Sequence, residues 1–377
     1  MFSASIWEKE TFYSKQDIVI VGGGFMGLWT ALELKKVKPN LKITILEKNV
    51  VPLGASTRNA GFACFGSPGE LLYDEAIWGE NELWKIVEAR YKGIQKIKEH
   101  FADDVIDFDT CGGYECFSKS DDSIYDKLND LNKNLHRITG EISCFRKRNE
   151  RLESLGLTGF SDLIENKLEG VLHSGKLLKF LSQKVHDAGV QILYGATFNS
   201  YETINSSLKE ISFNSKSIQT TSLLFCTNAF TSQLLKDIDI VPARGQIIVT
   251  SSIPNLKLRG SFHFDSGFYY WRHLGNRILL GGARNIAISE EETTDLSTSN
   301  TIQNALEIFL QEHIASTYQY EIEHRWSGVM GFSANKKPVL KKIDENVFMG
   351  MACNGMGVAL IPLLSEDLCK LVLNDFN

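Results

Sequence analysis

Residues 17–21, Asp-Ile-Val-Ile-Val, form a short apolar run that stops at three consecutive glycines. A run of that length, closed by turn residues, predicts a strand buried on both faces. Helical spacing follows through about Lys36, with Leu28, Ala31, Leu32 and Lys35 on one face. Residues 42–47, Lys-Ile-Thr-Ile-Leu-Glu, predict the second strand. Strand, glycine turn, helix and strand make one βαβ unit, whose crossover is right-handed.

Further along, helices are expected at 79–102 and 120–135, with a strand at 111–118 between them. A second α/β stretch begins near His173, with a helix at 174–188 and strands at 190–194 and 222–226. Residues 245–252, 267–272 and 277–282 read as successive antiparallel strands, with Gly275-Asn276 as a hairpin turn. A helix at 300–316, a strand at 346–351, a glycine loop and a terminal helix close the chain. Pro362 should distort the first turn of that last helix. No repeat or Pro/Ser-rich linker separates these pieces, so two domains should be interleaved. Residues 15–90, 168–235 and 336–377 would form an α/β nucleotide domain. Residues 91–167 and 236–335 would form a β-rich α+β partner.

The length of 377 residues exceeds one ordinary core, in keeping with two domains. Hydrophobic content of 43% and charged content of 23% are those of an ordinary globular chain. A net charge of −6 argues against a nucleic-acid surface, which needs basic residues against phosphate. No run of about 18 apolar residues offers a membrane span, and the polar start carries no secretory h-region. Seven cysteines scattered from Cys64 to Cys369 are no disulfide framework. Cys111 and Cys116 have a redox-like spacing, but they flank Gly112-Gly113 in a strand and turn. Reduced thiols in the cytoplasm are the expectation.

Candidate chemistry begins at Gly22-x-Gly24-x-x-Gly27, which follows the first strand and opens the helix. Gly22 permits the tight turn, Gly24 lets a pyrophosphate approach the backbone, and Gly27 lets helix and strand pack closely. The helix N-terminus, including Phe25 and Met26, then faces phosphate. Glu47 ends the second strand, where a carboxylate accepts from ribose hydroxyls. Residues 54–61, Gly-Ala-Ser-Thr-Arg-Asn-Ala-Gly, can cross the outer phosphate and reach a ring system. Ser56, Thr57 and Arg58 would be the donors there. Asn354-Gly355-Met356-Gly357 precedes the last helix, where bare glycines admit a planar ring and the helix N-terminus favours its anion.

With these elements in one chain, the sequence resembles the FAD-dependent D-amino-acid oxidase superfamily, which includes glycine oxidase and sarcosine oxidase. The similarity is greatest to the gamma-glutamylputrescine-oxidase-like branch. Its carriers span nearly the whole chain: VIVGGGFMGLWTALEL, LEK at 46–48, GASTRNAGF at 54–62, FCTNAF at 225–230, PARGQI at 242–247, GFYYWR at 267–272, RILLGGAR at 277–284, RWSGVMGFSANKKPV at 325–339 and GMACNGMGVAL at 350–360. The resemblance implies a Rossmann-like FAD-binding domain interleaved with a substrate domain. It adds Lys48, Ala55, Asn59, Gly61, Phe198, Thr227, Asn228 and Val358 to the expected cofactor contacts. It also implies hydride transfer from the α-carbon of an amine or amino acid to flavin N5, giving an imine that water hydrolyses. Oxygen or another acceptor would then take the electrons. No second G-x-G-x-x-G precedes a helix, so electrons should enter from the organic substrate.

Departures from the family pattern matter as much. The substrate-carboxylate arginine of amino-acid-oxidising members falls at Met330 here, so Arg284 or Arg58 would have to supply it. The oxygen-activating lysine of sarcosine-oxidase-like members falls at Leu279, which leaves a dehydrogenase passing electrons to a quinone or carrier as an alternative. The covalent-flavin cysteine falls near Gly328 and Val329, so FAD should be non-covalent. A tRNA-modifying flavin domain is a further alternative that the acidic balance disfavours. So is a flavin-binding protein without catalysis.

For the chemistry itself, Arg58, Tyr269, Tyr270, Arg272 and Arg284 are the candidates, and strand alternation lets only one of the two tyrosines face the flavin. His173 should be structural, and His263 and His273 should stay at the surface. Lys336-Lys337 and Glu290-Glu291-Glu292 should be solvated turns. No metal site is expected.

Overall fold

The structure is a computed structural model that describes residues 3–120 and 122–375. Ten helices occur among these residues: α1 (Ile6–Glu10), α2 (Phe25–Val37), α3 (Ala55–Arg58), α4 (Pro68–Trp78), α5 (Glu80–His100), α6 (Asp103–Ile106), α7 (Asp122–Thr139), α8 (Ser174–Asp187), α9 (Asn300–Phe309) and α10 (Gly357–Asn374). Residue 121, part of the expected 120–135 helix, lies outside the described residues.

The first sheet comprises β1 (Gln16–Val21), β2 (Ile43–Glu47), β8 (Gln191–Tyr194), β9 (Phe198–Asn205), β10 (Leu208–Phe213), β11 (Lys216–Phe225), β17 (Val339–Asp344) and β18 (Val347–Met351). Its path runs β17-β18-β11-β1-β2-β8. The pairings from β18 to β8 are all parallel. β1 sits in the middle and shows why its sequence is a continuous apolar run. Ile18 and Ile20 enter the core under α2, α5, α8 and α10, while Val19 and Val21 enter a second core with Phe198, Phe213 and Phe225. Both faces are buried, so no position can be polar without a partner.

The second sheet comprises β4 (Gly113–Phe117), β5 (Phe145–Lys147), β6 (Asp162–Asn166), β12 (Val241–Thr250), β13 (Ser261–Phe264), β14 (Tyr269–Leu274), β15 (Arg277–Gly282) and β16 (Ile322–Phe332), in the order β16-β12-β15-β14-β13-β4-β6-β5. A small pair, β3 (Phe62–Ala63) with β7 (Gly170–Val171), lies between the two sheets in sequence. The Gly275-Asn276 turn joins β14 to β15, as the sequence predicts.

One face of the second sheet carries a large core containing Trp271, Phe262, Ile248 and Leu280. The other carries a small apolar cluster of Ile247, Val249 and Leu279 with Tyr270, Trp326 and Ala60. Since Ala60 belongs to the loop after α3, this second face is the one turned toward the nucleotide unit. The expected boundary at residue 90 falls inside α5, which runs unbroken to His100 and shares a core with α10. α10 likewise runs through Pro362, whose carbonyl accepts from Lys96 Nζ at 2.9 Å.

Candidate active site

The turn between β1 and α2 is shaped by space that only glycine leaves open. A Cβ on Gly27 would lie 2.1 Å from the Gly22 carbonyl oxygen, and one on Gly24 would lie 2.9 Å from Ser56 Oγ. Gly22 also has a left-handed φ of 111° against the Cys226 carbonyl. The first-turn amides of α2 have no intrahelical acceptor. Ser56 Oγ takes the Phe25 amide at 2.9 Å, which ties α3 to the head of α2. Glu47 is buried at the end of β2, and its carboxylate accepts from the amides of Gly23 (2.9 Å) and Asn49 (3.0 Å). Lys48 beside it is exposed.

The loop around α3 is braced internally. Thr57 Oγ1 donates to the Pro52 carbonyl, Asn59 Nδ2 donates to the carbonyls of Ala55 and Ser56, and Asn59 Oδ1 accepts from the Gly61 amide. Arg58 reaches across to the second sheet. Its Nη1 donates to the Ser327 carbonyl at 2.7 Å, and its own carbonyl accepts from Trp326 Nε1 at 3.0 Å. Gly328 permits this approach, because a Cβ there would meet Arg58 Cβ at 2.8 Å. Arg58 Nε is buried and has no hydrogen-bond partner.

From the C-terminal side, Asn228 Oδ1 accepts from the Ala352 amide, and Asn354 Oδ1 accepts from the Ser333 amide. These two bonds hold the loop before α10 to the turn after β11 and to the end of β16. Met330 Sδ lies 3.9 Å from where a Gly355 Cβ would be, and Met330 Cε lies 3.2 Å from the Gly245 equivalent. Met356 caps α10, Gly357 begins it, and Val358 packs on the first core. Thr227 Oγ1 bonds Thr231 Oγ1 at 2.7 Å. Phe198 does not present its side chain to this site. It is buried edge-on against Phe225, leaving only its backbone available.

Alternation along β14 separates the aromatic candidates. Tyr270 is half-buried on the face turned to the nucleotide unit, 6.0 Å from Phe62 between ring centres, and burial pushes its phenol up to about 12. Tyr269 points the other way and stacks on Phe309 at 4.3 Å, so it is a core residue. Arg272 shares the Tyr270 side, but its Nη1 donates to the carbonyls of Ala60, Gly61 and Leu172 and its Nε to that of His273. It clamps the loop backbone, and burial lowers its guanidinium to about 10. Arg284 follows Ala283, which has a left-handed φ of 58°, and lies between Phe268 and Phe332 at 5.8 and 5.2 Å. Leu279 is buried in the small apolar cluster.

Several polar residues depart from expectation. His263 and His273 are each 7% exposed rather than surface residues. His263 stands opposite Tyr270 in register and packs edge-on against Phe62. Glu291 is fully buried, held by Arg244 through two oxygens and by Gln246 on the back of β12. Its neighbours Glu290 and Glu292 are exposed, as expected of a turn. Lys336 and Lys337 pair with Asp74 and Glu82. His173 caps α8 by accepting the Lys176 amide. Asp109, Cys111 and His273 place their ligand atoms within 4.8 Å of one another, yet Asp109 is already paired with Arg259. All seven cysteines are free.

Composition and periodicity overlooked Glu115 and Glu169, which sit under the start of α4. Glu169 Oε1 accepts from the amides of Phe65 and Gly66, and Glu115 Oε2 accepts from that of Gly69. Burial raises each carboxyl to about 8. α4 itself has a legible signal, Ser67-Pro-Gly-Glu70, a capping box with proline at the first position.

No helix among the described residues is long and apolar enough to cross a membrane. Comparison with known proteins agrees with the geometry. The Haemophilus influenzae probable oxidoreductase OrdL is 25% identical over 95% of this chain and 83% of its own length. The Escherichia coli gamma-glutamylputrescine oxidoreductase is 22% identical over 95% and 84%. Among solved structures, L-proline dehydrogenase from P. horikoshii overlays with a TM-score of 0.77 at 16% identity, covering 96% of this chain and 94% of that one. Glycine oxidase from Bacillus cereus gives 0.72 at 15%, covering 96% and 95%. The model of the DAO family, FAD dependent oxidoreductase, matches residues 17–371, and the chain belongs to that family.

Proposed function

We propose that this FAD-dependent oxidoreductase oxidises a small amine or amino acid to its imine. The observation that carries the reading is the meeting of three segments on one face of the second sheet. Arg58 after the nucleotide turn touches Gly328, the Gly355 loop stands against Met330, and Tyr270 faces the same space. The residues fit FAD: the Gly22, Gly24 and Gly27 cradle excludes any Cβ, Glu47 ends β2, and Arg58 Nε is an orphaned donor. In this reading Gly22, Gly24, Phe25, Met26 and Gly27 hold the pyrophosphate, and Glu47 with Lys48 flanks the ribose. Residues 55–59 and Gly61 run beneath the ring, Phe198, Thr227 and Asn228 contribute from the adenine side and the β11 end, and 354–358 cover the far edge of the ring. When bound, FAD supplies the acceptor for the substrate's C–H electron pair.

The chain's own part is to orient the amine and keep water out. Tyr270, Phe62 and Met330 make an apolar wall for that purpose, and Arg58 locks the ring-binding loop to it. The flavin is held without a covalent bond, since Gly328 and Val329 carry no thiol; acid precipitation should release it into the supernatant. In this reading the first segment of the nucleotide domain extends to the end of α5, and residues 168–235 and 336–377 complete that domain.

A dehydrogenase is the second reading, and Leu279 favours it. The position that would carry an oxygen-activating lysine is an apolar side chain buried with Ile247 and Val249. Turnover with an artificial dye set against turnover with oxygen separates the two. Fast dye reduction with slow oxygen consumption supports the dehydrogenase, and equal rates support the oxidase.

A further inference from the structure

We infer that His263 takes the proton of the substrate's ammonium group, as the middle member of a row of side chains, Glu115, His263 and Tyr270, laid across the second sheet. This rests on the amine reading above and adds the residue that readies the amine for oxidation. An alkylammonium keeps its proton until about pH 10.4, and only the neutral amine has a lone pair to form the C=N bond as the hydride leaves. In the step proposed, an N–H bond of the ammonium breaks, its electron pair stays on nitrogen, and the proton bonds to the imidazole. It returns to water after the imine has left.

Strand register builds the row. His263 on β13 is directly opposite Tyr270 on β14 and Glu115 on β4, and Tyr270 is opposite Gly281 on β15. Directly opposed residues share a face of the sheet, so all three side chains lie on the side turned to the nucleotide unit. Tyr270 leans away from His263. A Cβ on Gly281 would meet its Cε2 at 2.4 Å, and one on Gly245 would meet its hydroxyl at 3.3 Å. Phe62 fills the place between them, edge-on to His263 at 5.2 Å and to Tyr270 at 6.0 Å. His263 thus stands directly behind the apolar wall that Phe62 and Tyr270 offer the amine, and the proton reaches it past the edge of Phe62. It is 7% exposed, and its Nε2 is buried without a hydrogen-bond partner among the described residues. A buried nitrogen is costly to leave bare, and an imidazole with an unspent nitrogen can receive a proton.

The surroundings favour a charged imidazole without competing for the proton. His263 lines a narrow gap with Ser67, Glu115, Asn166 and Glu169 under the start of α4. Glu115 and Glu169 stay protonated up to about 8, because burial opposes their ionisation. Glu70 of α4 is the ionised carboxylate. Burial works against its charge, but His263, the Ser67 hydrogen bonds and Arg90 of α5 outweigh that and hold the carboxyl below its ordinary value. A carboxylate so placed favours an imidazolium beside it. The phenols of Tyr270 and of Tyr114, which also lines the gap, are pushed up by burial and stay neutral. Arg272, two positions along β14, is spent on backbone carbonyls, and Arg284 acts on Tyr270 from the end of β15. His263 is left as the base that this face offers.

The test compares the purified holoprotein with His263→Asn, or with His263→Gln should the first variant lose its flavin. The second-order rate constant for anaerobic flavin bleaching, with the amine that reduces the wild type fastest, is followed from pH 6 to 10. The wild type should climb through one inflection to a plateau. The variant should climb without it towards the ionisation of the amine itself, about a hundred-fold slower at pH 7 and converging with the wild type at the alkaline end. A loss of the same size at every pH overturns the assignment, as does an unchanged profile. Calorimetry with tert-butylamine, whose α-carbon carries no hydrogen, gives a readout without turnover when run in two buffers of different ionisation enthalpy. The wild type should bind it with no net proton release, and the variant should release about one proton per amine bound. Equal release in both overturns the assignment. If no amine bleaches either protein, the amine reading falls and this assignment with it. Bleaching of the wild type with the same profile in the variant removes His263 alone.

Discussion

The three arginines that bear on the cleft have different roles because their surroundings consume different numbers of donors. Arg272 is the structural one, and Arg272→Ala would strand the carbonyls of Ala60, Gly61 and Leu172 in a buried place. The expected loss is about 2–4 kcal/mol in denaturant unfolding of the holoprotein, together with weaker flavin retention. An unchanged midpoint would remove the clamp. At the nucleotide turn, Gly27→Ala forces a Cβ to 2.1 Å from the Gly22 carbonyl. Its flavin content after gel filtration should fall at least tenfold, or about 1.4 kcal/mol in binding. Sequence made Gly22, Gly24, Gly27 and Glu47 legible because a local turn and one strand end define them. It could not separate Arg272 from Arg284, since the difference lies in whether a carbonyl from a distant loop arrives. His263 and His273 were misplaced for the same reason: strand pairing, invisible in the chain, buries them.

At the scale of elements, β14 shows how far alternation carries. It allows one tyrosine on the cleft, and it is the packing of Phe309 from α9 that draws Tyr269 to the other side. α4 shows the opposite case, a helix signalled by its capping box but not recognised among the loop residues. Its start rests on Glu115 and Glu169, whose carboxyls burial holds protonated up to about 8. An unfolded glutamate ionises near about 4.3. The folded chain thus binds more protons between these values. Stability from this pair is complete below about pH 4.5 and is lost as pH rises through about 8. Thermal midpoints measured from pH 5 to 9 should therefore decline up to about pH 8 and level off above it. The decline should be shallower in Glu115→Gln/Glu169→Gln. An identical slope in the double variant would show that other groups set it.

For the whole molecule, the parallel sheet was readable from its apolar runs. The second sheet was only partly so, because the partners of β16 and β6 are far away in sequence. What the two sheets achieve together is a face-to-loop contact: Ala60, Trp326 and Tyr270 share one small cluster, and Arg58 bonds across it. If flavin and amine meet there, the reacting groups are enclosed by both sheets, and the chemistry belongs to neither alone. The most direct test is the absorbance of the purified protein while amines and amino acids are added without oxygen. The account predicts a flavin spectrum that one class of amine bleaches at a saturable rate. A flavin spectrum that no amine or amino acid bleaches would contradict it.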